Sequence, residues 1–420
     1  MEPEALSLGI LPPSLRVEVA DPRVLSDTQT AAYDLKTRAA TDSVAFLLDP
    51  SYCFSSRSSL KLPISLVQWA LALWGGDSIA HLALEERPRQ FFFAPAALLF
   101  NSDFHANASV LGSLPQSGDI IIFDEYIHAS CHDGMKMSRA KDALIPFKHN
   151  SLSSFKECIL RALQLNPGIK AGKATVFIVV EGLYSMDGDV APLKEIVELM
   201  KSLIPPESRH LIVEEAHSSG IYGQAGRGLV SLNGLENEVH TRVHTFGKAL
   251  GSAGAVVLTD AVIRLYLINY ARSFIYTTSL PLFNVVAIGC SFDMLELVGD
   301  ELSARLVHLC RFFRNTLSSN LKLIPAKIMT LTKTGKENLW SPIFPILVCG
   351  SLDLEACLQA KGYDAKAIPY PIVPRGAERI RVCIHAANTE DELLRFITEL
   401  VSWAAAYQQK DGKKERNIVL

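Results

Sequence analysis

No uninterrupted apolar run in the 420-residue sequence approaches the roughly 18 residues needed to cross a bilayer. The longest candidate, FFFAPAALLF at 91–100, is shorter and is broken by Pro95. Residues 1–15 carry acids and prolines where an export signal needs a basic and then an apolar region. Blocks of like charge are also missing: the net charge of -3 is spread along the chain, with one mild basic cluster at Lys413, Lys414 and Arg416. Nucleic acid and anionic membrane are thereby excluded as main partners. The 8 cysteines, at 53, 131, 158, 290, 310, 349, 357 and 383, form neither a C-x-x-C pair nor a small-domain disulfide framework. Free thiols in a reducing, cytoplasmic setting are expected. The terminal Asn-Ile-Val-Leu is a poor peroxisomal address, and neither an internal repeat nor a low-complexity tract is present.

The sequence is rich in what builds a core, at 49% hydrophobic and 20% charged residues, which reads as a soluble globular protein with one large and one smaller lobe. Residues 1–45 are mixed and rich in turn formers, an N-terminal arm. LPISLVQWALALWGG predicts a short helix closed by Gly75 and Gly76. From there to about 290, β-rich runs (GDIIIFDEY, KATVFIVVEG, RHLIVEEAHS, VHTFGKAL, GAVVLTD) alternate with helical stretches such as APLKEIVELMKSLI. That alternation predicts an α/β domain over 46–290 with a mainly parallel sheet and ligands at the carboxyl ends of its strands. A long helical stretch after Phe283, then SPIFPILVCG, LEACLQAKGY, ERIRVCIHAA and a helix capped by Thr389, predict a smaller α+β domain over 291–420.

One greasy run ends oddly: HLIVEEAH closes on Glu214, Glu215 and His217. Downstream, VHTFGKALGSAG sets Lys248 among small residues, where a tight pocket would favour the neutral amine that attacks a carbonyl. Taken alone, Lys248 is better read as a surface lysine on a turn. A phosphate loop is excluded, because Arg242 and Ala249 stand where that motif needs Gly and Ser or Thr. If the carbonyl is that of pyridoxal phosphate, the ring nitrogen needs a carboxylate on a neighbouring strand, which Glu214 supplies, and His217 is placed for the ring hydroxyl. His128, Cys131 and His132 have a spacing that suits zinc but lack a fourth ligand. The run DGD at 187–189 and the glycines 223, 226 and 228 read as turns.

VEGLYSMDGDVAPL, EEAHSSGIYGQAGRGL, HTFGKALGSAGAVV, FIYTTSLP and ERIRV, in this order, resemble the α-oxoamine synthase family of fold-type I pyridoxal-phosphate enzymes. The likeness runs from about residue 90 to 403. It implies a dimer with a Schiff-base lysine at Lys248, His128 stacked on the cofactor ring, Ser185 lining the cofactor face and Glu181 the substrate side. It implies phosphate contacts from Thr245 and from Thr277 and Thr278 of the other subunit. Arg381 then holds the amino-acid carboxylate with its planar fork of donors.

Three departures stand against that pattern. Glu214 occupies the place of an aspartate. The helix start that cradles the phosphate, usually Ser-Gly-aromatic, reads Ser102, Asp103, Phe104; backbone amides there can still bind a phosphate. The Gly-Ser-Gly-Gly-Ser-Arg segment that shapes the substrate site is missing between LWGGDS and IAHLALEE. The resemblance implies decarboxylative condensation of an amino acid with an acyl thioester, and the missing segment implies an atypical donor, such as a carrier-bound or polyketide-like acyl group. An aminotransferase or β-hydroxy amino-acid lyase using the same lysine, and a non-catalytic partner subunit, are the alternatives; retention of Lys248 argues against the last.

Overall fold

The structure, a computed structural model, describes residues 79–332 and 340–418. The arm at 1–45, the helix expected at 62–76 and the region of the missing glycine-rich segment lie outside the described residues. Contacts divide the chain into two units, Pro192–Leu297 with the residues up to Gly182, and Leu183–Ala191 with those from Val298 onward. A simple cut near residue 290 does not convey that the nine-residue stretch at 183–191 belongs with the later chain.

The apolar run at 91–100 resolves into three pieces. Phe91 ends helix α1 (Ile79–Phe91), Phe93 turns the chain at φ 52°, and Ala96–Phe100 forms strand β1. There follow α2 (Asp103–Ser113), β2 (Ile120–Asp124), α3 (Ala129–Met137), β3 (Leu144–Phe147), α4 (Leu152–Leu165), β4 (Val176–Glu181) and α5 (Leu193–Leu203). β5 (Arg209–Glu214), the short α6 (Leu229–Leu232), β6 (Thr241–Thr245), β7 (Ala255–Thr259), α7 (Ala261–Tyr270), α8 (Arg272–Ile275) and α9 (Leu282–Asn320) come next.

The seven strands align in the order β1-β7-β6-β5-β4-β2-β3. β3, β2, β4, β5 and β6 are mutually parallel, whereas β7 runs antiparallel to both β6 and β1. The mainly parallel sheet expected from alternation is present, with one reversed strand. Its strands are buried along almost their whole length, as a sheet covered on both faces requires, and β2, β4 and β7 read as largely unbroken apolar runs. Adjacent residues split between two cores: Leu98 and Val257 join Val110, Phe177 and Ile212, while Leu99 and Val256 join Phe91, Phe92, Ile288 and Phe292. Pro146 is tolerated in β3 because that strand lies at the sheet edge.

The later unit carries a four-stranded antiparallel sheet, β10-β11-β9-β8, formed by β8 (Met329–Leu331), β9 (Ile343–Val348), β10 (Lys366–Ile368) and β11 (Arg379–Cys383). Helices α10 (Ser351–Ala360) and α11 (Glu390–Ile418) accompany it. The predicted cap is a reciprocal box: Glu392 N donates to Thr389 Oγ1 at 3.2 Å, and Thr389 N donates to Glu392 Oε2 at 2.9 Å.

The α9 region needs one correction to the sequence reading. Counting uninterrupted apolar residues missed it, but Leu282–Leu323 contains a window long and apolar enough to cross a membrane by length and composition, of which 28% is buried.

Candidate active site

The carboxyl ends of the parallel strands gather the acids that the sequence put at the ends of greasy runs. Glu181 ends β4 and Glu214 ends β5, directly opposite each other in register. Gly182 N donates to Glu214 O at 2.7 Å, locking the two ends together. Both acids are buried, at 1% and 2% exposure. Asp124 ends β2, wholly buried, and accepts from Tyr126 N at 2.9 Å and Asn150 N at 2.9 Å while pairing with His149 Nδ1 at 2.8 Å. Those bonds shape the turn that leads to His128.

His128 is the N-cap of α3 and is exposed. Its Nδ1 accepts from Ser130 N at 3.2 Å and lies 2.7 Å from Ser130 Oγ, so the ring proton sits on Nε2. Partial burial, opposed by Asp103 and reinforced by Lys248, holds its pKa below the usual histidine value. A flat, neutral ring at the mouth of the site is suited to stacking.

Lys248 lies on the connection between β6 and β7, and Gly247, Lys248 and Ala249 are exposed. The tight pocket of small residues expected around it is not found in the isolated chain. The small residues serve the loop backbone instead: Ser252 N donates to Phe246 O at 2.8 Å, and Gly251 N donates to Lys248 O at 3.0 Å. Thr245, buried at the end of β6, receives Gly247 N on its Oγ1 at 3.2 Å. The lysine's charge nevertheless lowers the pKa of Asp103, Glu181 and Glu214 alike.

Ser102 caps α2, its Oγ accepting from His105 N at 3.3 Å, which leaves the earlier amides of that turn available for an anion. Asp103 follows. Burial, opposed by Lys248 and His128, raises its pKa above the usual aspartate value. Phe104 is exposed on the same turn. Burial also pushes Glu181 up to about 8, against the attraction of Lys248 and a hydrogen bond from the His128 backbone. Glu214 is driven well above the carboxylate range, first by burial and then by Asp103.

His217, half-buried, follows three residues after Glu214 on the turn leaving β5. Thr277 and Thr278 stand before α9, where Asn101 Nδ2 donates to Thr277 Oγ1 at 3.1 Å and to Thr278 O at 2.6 Å. Within the later unit, Arg381 and Ser185 meet, Arg381 Nη1 donating to Ser185 O at 3.1 Å. Arg379 shares their strand face but is consumed by an ion pair with Asp187, leaving Arg381 as the arginine with guanidinium donors to spare. The DGD run is a turn, closed by Gly188 N donating to Tyr184 O at 3.0 Å.

Three supporting residues escaped the sequence reading. Glu215, fully buried, accepts from Leu229 N at 2.8 Å, from Val230 N at 2.6 Å and from Ser218 Oγ, so it anchors α6 rather than joining the chemistry. Asn107 donates to Asp103 Oδ2 at 3.3 Å and to Ser130 Oγ at 3.1 Å. Asp124 shapes the His128 turn. Glu215 was visible as the second acid closing HLIVEEAH but was given no role, Asp124 left a similar signal as the acid at the end of IIIFD, and Asn107 left none.

A family model described as aminotransferase class I and II matches residues 75–400. The 8-amino-7-oxononanoate synthase of Emericella nidulans is 40% identical over 342 residues, covering 81% of this chain and 82% of the relative. The aminoacyl transferase sphA of Aspergillus fumigatus is 35% identical, covering 79% and 72%. The chain belongs to the aminotransferase class I and II family. Among solved structures, Sphingomonas wittichii serine palmitoyltransferase superposes with TM-score 0.68 at 27% identity, covering 79% of this chain and 77% of that one. The 8-amino-7-oxononanoate synthase of Francisella tularensis superposes with TM-score 0.63 at 29% identity, covering 79% and 89%.

These relatives bear out the α-oxoamine synthase resemblance and the fold-type I architecture. Related serine palmitoyltransferase structures hold pyridoxal phosphate, the cofactor of this aminotransferase-family chain. Its own residues fit the group: an amine beside buried acids, a capped helix start with amides to offer, and a neutral imidazole at the mouth. Cys131 is buried, and burial with the neighbouring acids raises its thiol well above the ordinary range.

Proposed function

We propose that the chain condenses an amino acid with an acyl thioester, releasing the amino-acid carboxylate as carbon dioxide and leaving an α-amino ketone. The observation that carries this reading is the convergence of Lys248, Glu181, Glu214, Asp103 and His128 at the carboxyl ends of β4, β5 and β6 and at the start of α2. When bound, pyridoxal phosphate supplies an electron sink for charge developing on the amino acid's α-carbon.

Lys248 Nζ would hold the cofactor and would be the base that takes the α-proton of the bound amino acid. Glu214 would hold the ring nitrogen, His217 the ring hydroxyl and His128 the ring face. Amides of Asp103 and Phe104, with Ser102, Thr245 and the partner-donated Thr277 and Thr278, would hold the phosphate. Arg381 fixes the substrate carboxylate and Glu181 lines the substrate side. The acyl donor is a carrier-bound or otherwise atypical thioester, a reading supported by the missing Gly-Ser-Gly-Gly-Ser-Arg segment. The working form is a homodimer, supported by the apolar stripe on α9, where Phe283 and Leu297 are 72% and 78% exposed.

The test has two stages. Borohydride reduction of the purified protein with pyridoxal phosphate is expected to fix the cofactor on the peptide carrying Lys248, and Lys248→Ala to abolish the adduct. With carboxyl-labelled amino acids, labelled carbon dioxide is expected only when a thioester is also present. Transfer of the amino group without carbon dioxide would favour the aminotransferase reading instead.

A further inference from the structure

The segment 277–280, between α8 and α9, is held at both ends by groups of its own unit. At the far end Leu280 O lies 2.7 Å from His81 Nε2; a carbonyl cannot donate, so that nitrogen carries the proton. The Leu280 side chain packs at the base of the β6–β7 connection that carries Lys248, where a Cβ on Gly254 would meet Leu280 Cδ1 and Phe100 O, each at 3.1 Å. At the near end stands Asn101, between the last residue of β1 and the Ser102 cap of α2. Its amide reaches two atoms, Thr278 O at 2.6 Å and Thr277 Oγ1 at 3.1 Å. The Thr278 carbonyl decides how that amide is turned, because only Nδ2 can donate to it, and the second hydrogen of the same nitrogen goes to Thr277 Oγ1. The Thr277 hydroxyl is thereby made an acceptor toward Asn101, which leaves its own O–H to be given elsewhere.

We propose that Asn101 is a positioning residue that aims the Thr277 and Thr278 hydroxyls at the phosphate bound by the partner subunit, and so ties together the two phosphate sites of the dimer. It stands one residue before the cap of its own cradle while holding the threonines that serve the other. The inference rests on the cofactor and dimer reading above. Two points of chemistry make an amide the right group at 101. A phosphate oxygen accepts hydrogen bonds, so a threonine serves it by donating, and a neighbour that donates to Thr277 Oγ1 preserves that donor. A carboxylate at the same place would take the Thr277 proton for itself and set a negative charge beside the cradle. The bond to Thr278 O, in turn, fixes main chain rather than side chain, so the exposed Thr278 keeps its hydroxyl for a partner. With Leu280 pinned by His81, loss of the Asn101 amide releases the threonine end of the segment and leaves its attachment to the core in place.

The test uses mixed dimers, which put the two ends of this arrangement on different chains. A chain carrying Lys248→Ala is paired with a differently tagged chain that keeps Lys248, so each mixed dimer has one lysine, and the phosphate bound there meets the threonines of the lysine-less chain. Asn101→Ala on the lysine-less chain is expected to weaken pyridoxal phosphate binding at that lysine about tenfold, read by absorbance titration and borohydride trapping. On the lysine-bearing chain the same substitution is expected to change affinity by less than about twofold. Asn101→Asp, nearly identical in shape, is expected to weaken binding more than Asn101→Ala when placed on the lysine-less chain. Adding Thr277→Val to it should then cost less than about a further twofold, since the hydroxyl is already diverted. In the cofactor-free protein, Asn101→Ala is expected to speed amide hydrogen exchange across 277–280 while the melting temperature holds. An effect of Asn101→Ala that is confined to the lysine-bearing chain, equal in both placements or absent from both overturns the proposal, as does unchanged exchange across 277–280. A wild type that light scattering shows to be a single chain, or that forms no adduct at Lys248, overturns the dimer or cofactor reading and this inference with it; that failure is told apart because it precedes any substitution at 101.

Discussion

Glu181 shows how a single carboxyl couples the site to stability. Its folded pKa of about 8 stands above its ordinary 4.5, so the folded protein binds that proton more tightly than the unfolded chain. Its contribution to stability is present below about pH 4.5 and is lost as pH rises toward 8. Glu181→Gln is therefore expected to melt with wild type near pH 5 and above it near pH 8 in the cofactor-free state, as scanning calorimetry would show. Equal melting at both ends would refute a raised pKa. Glu215 plays the opposite part, since its charge is absorbed by donors rather than offered to a ligand. Glu215→Ala strands two backbone N–H groups and should cost about 3–5 kcal/mol in chemical denaturation, far more than a surface acid. The sequence distinguished Glu214 from Glu215 only through the family pattern. What separates them physically is strand alternation, which sends neighbouring side chains to opposite faces, one toward Asp103 and one toward α6.

At the scale of elements, the last glycine of GIYGQAGRG is fixed by crowding against that buried acid, while Gly223 and Gly226 are crowded by the loop's own backbone. Gly228 has φ +96°, and a Cβ there would lie 2.4 Å from Glu215 Oε2. Gly228→Ala is expected to destabilise by about 2–4 kcal/mol, measured by urea unfolding, with Glu215 losing its grip on α6. Gly134 serves packing rather than turning: a Cβ would meet Leu111 Cβ at 2.9 Å and Ala108 Cα at 3.0 Å, so its absence lets α3 close on α2. Strand positions were legible because strands covered on both faces are unbroken apolar words between turn residues. The reversal of β7 was not, since VHTFGKALGSAGAVV is equally compatible with a crossover or a hairpin, and direction is decided by pairing between distant strands. The small residues around Lys248 were misread as pocket walls because close backbone turns and tight pockets recruit the same amino acids.

At the scale of the molecule, the exposed stripe on α9 predicts assembly. Phe283, Val286 and Leu297 recur at helical spacing with 72%, 59% and 78% exposure, more apolar surface than a lone soluble chain ordinarily leaves bare. Phe283→Glu is expected to shift light scattering from twice the chain mass toward the single chain, and to weaken cofactor retention with it. Unchanged scattering from a wild type that is already monomeric would remove the dimer from the proposal. The later half combines short antiparallel strands with long helices. The return of residues 183–191 to that half was hidden, because a nine-residue excursion carries no change in composition. The β6–β7 hairpin has a mechanical corollary. Both posts of the span bearing Lys248 are driven into the middle of a seven-stranded sheet, Phe246 N and Gly254 O closing its base at 2.9 Å. A lever mounted this way can swing only by its four methylenes, so letting go of one partner and seizing the next asks for bond rotations in a single side chain while the frame stays still.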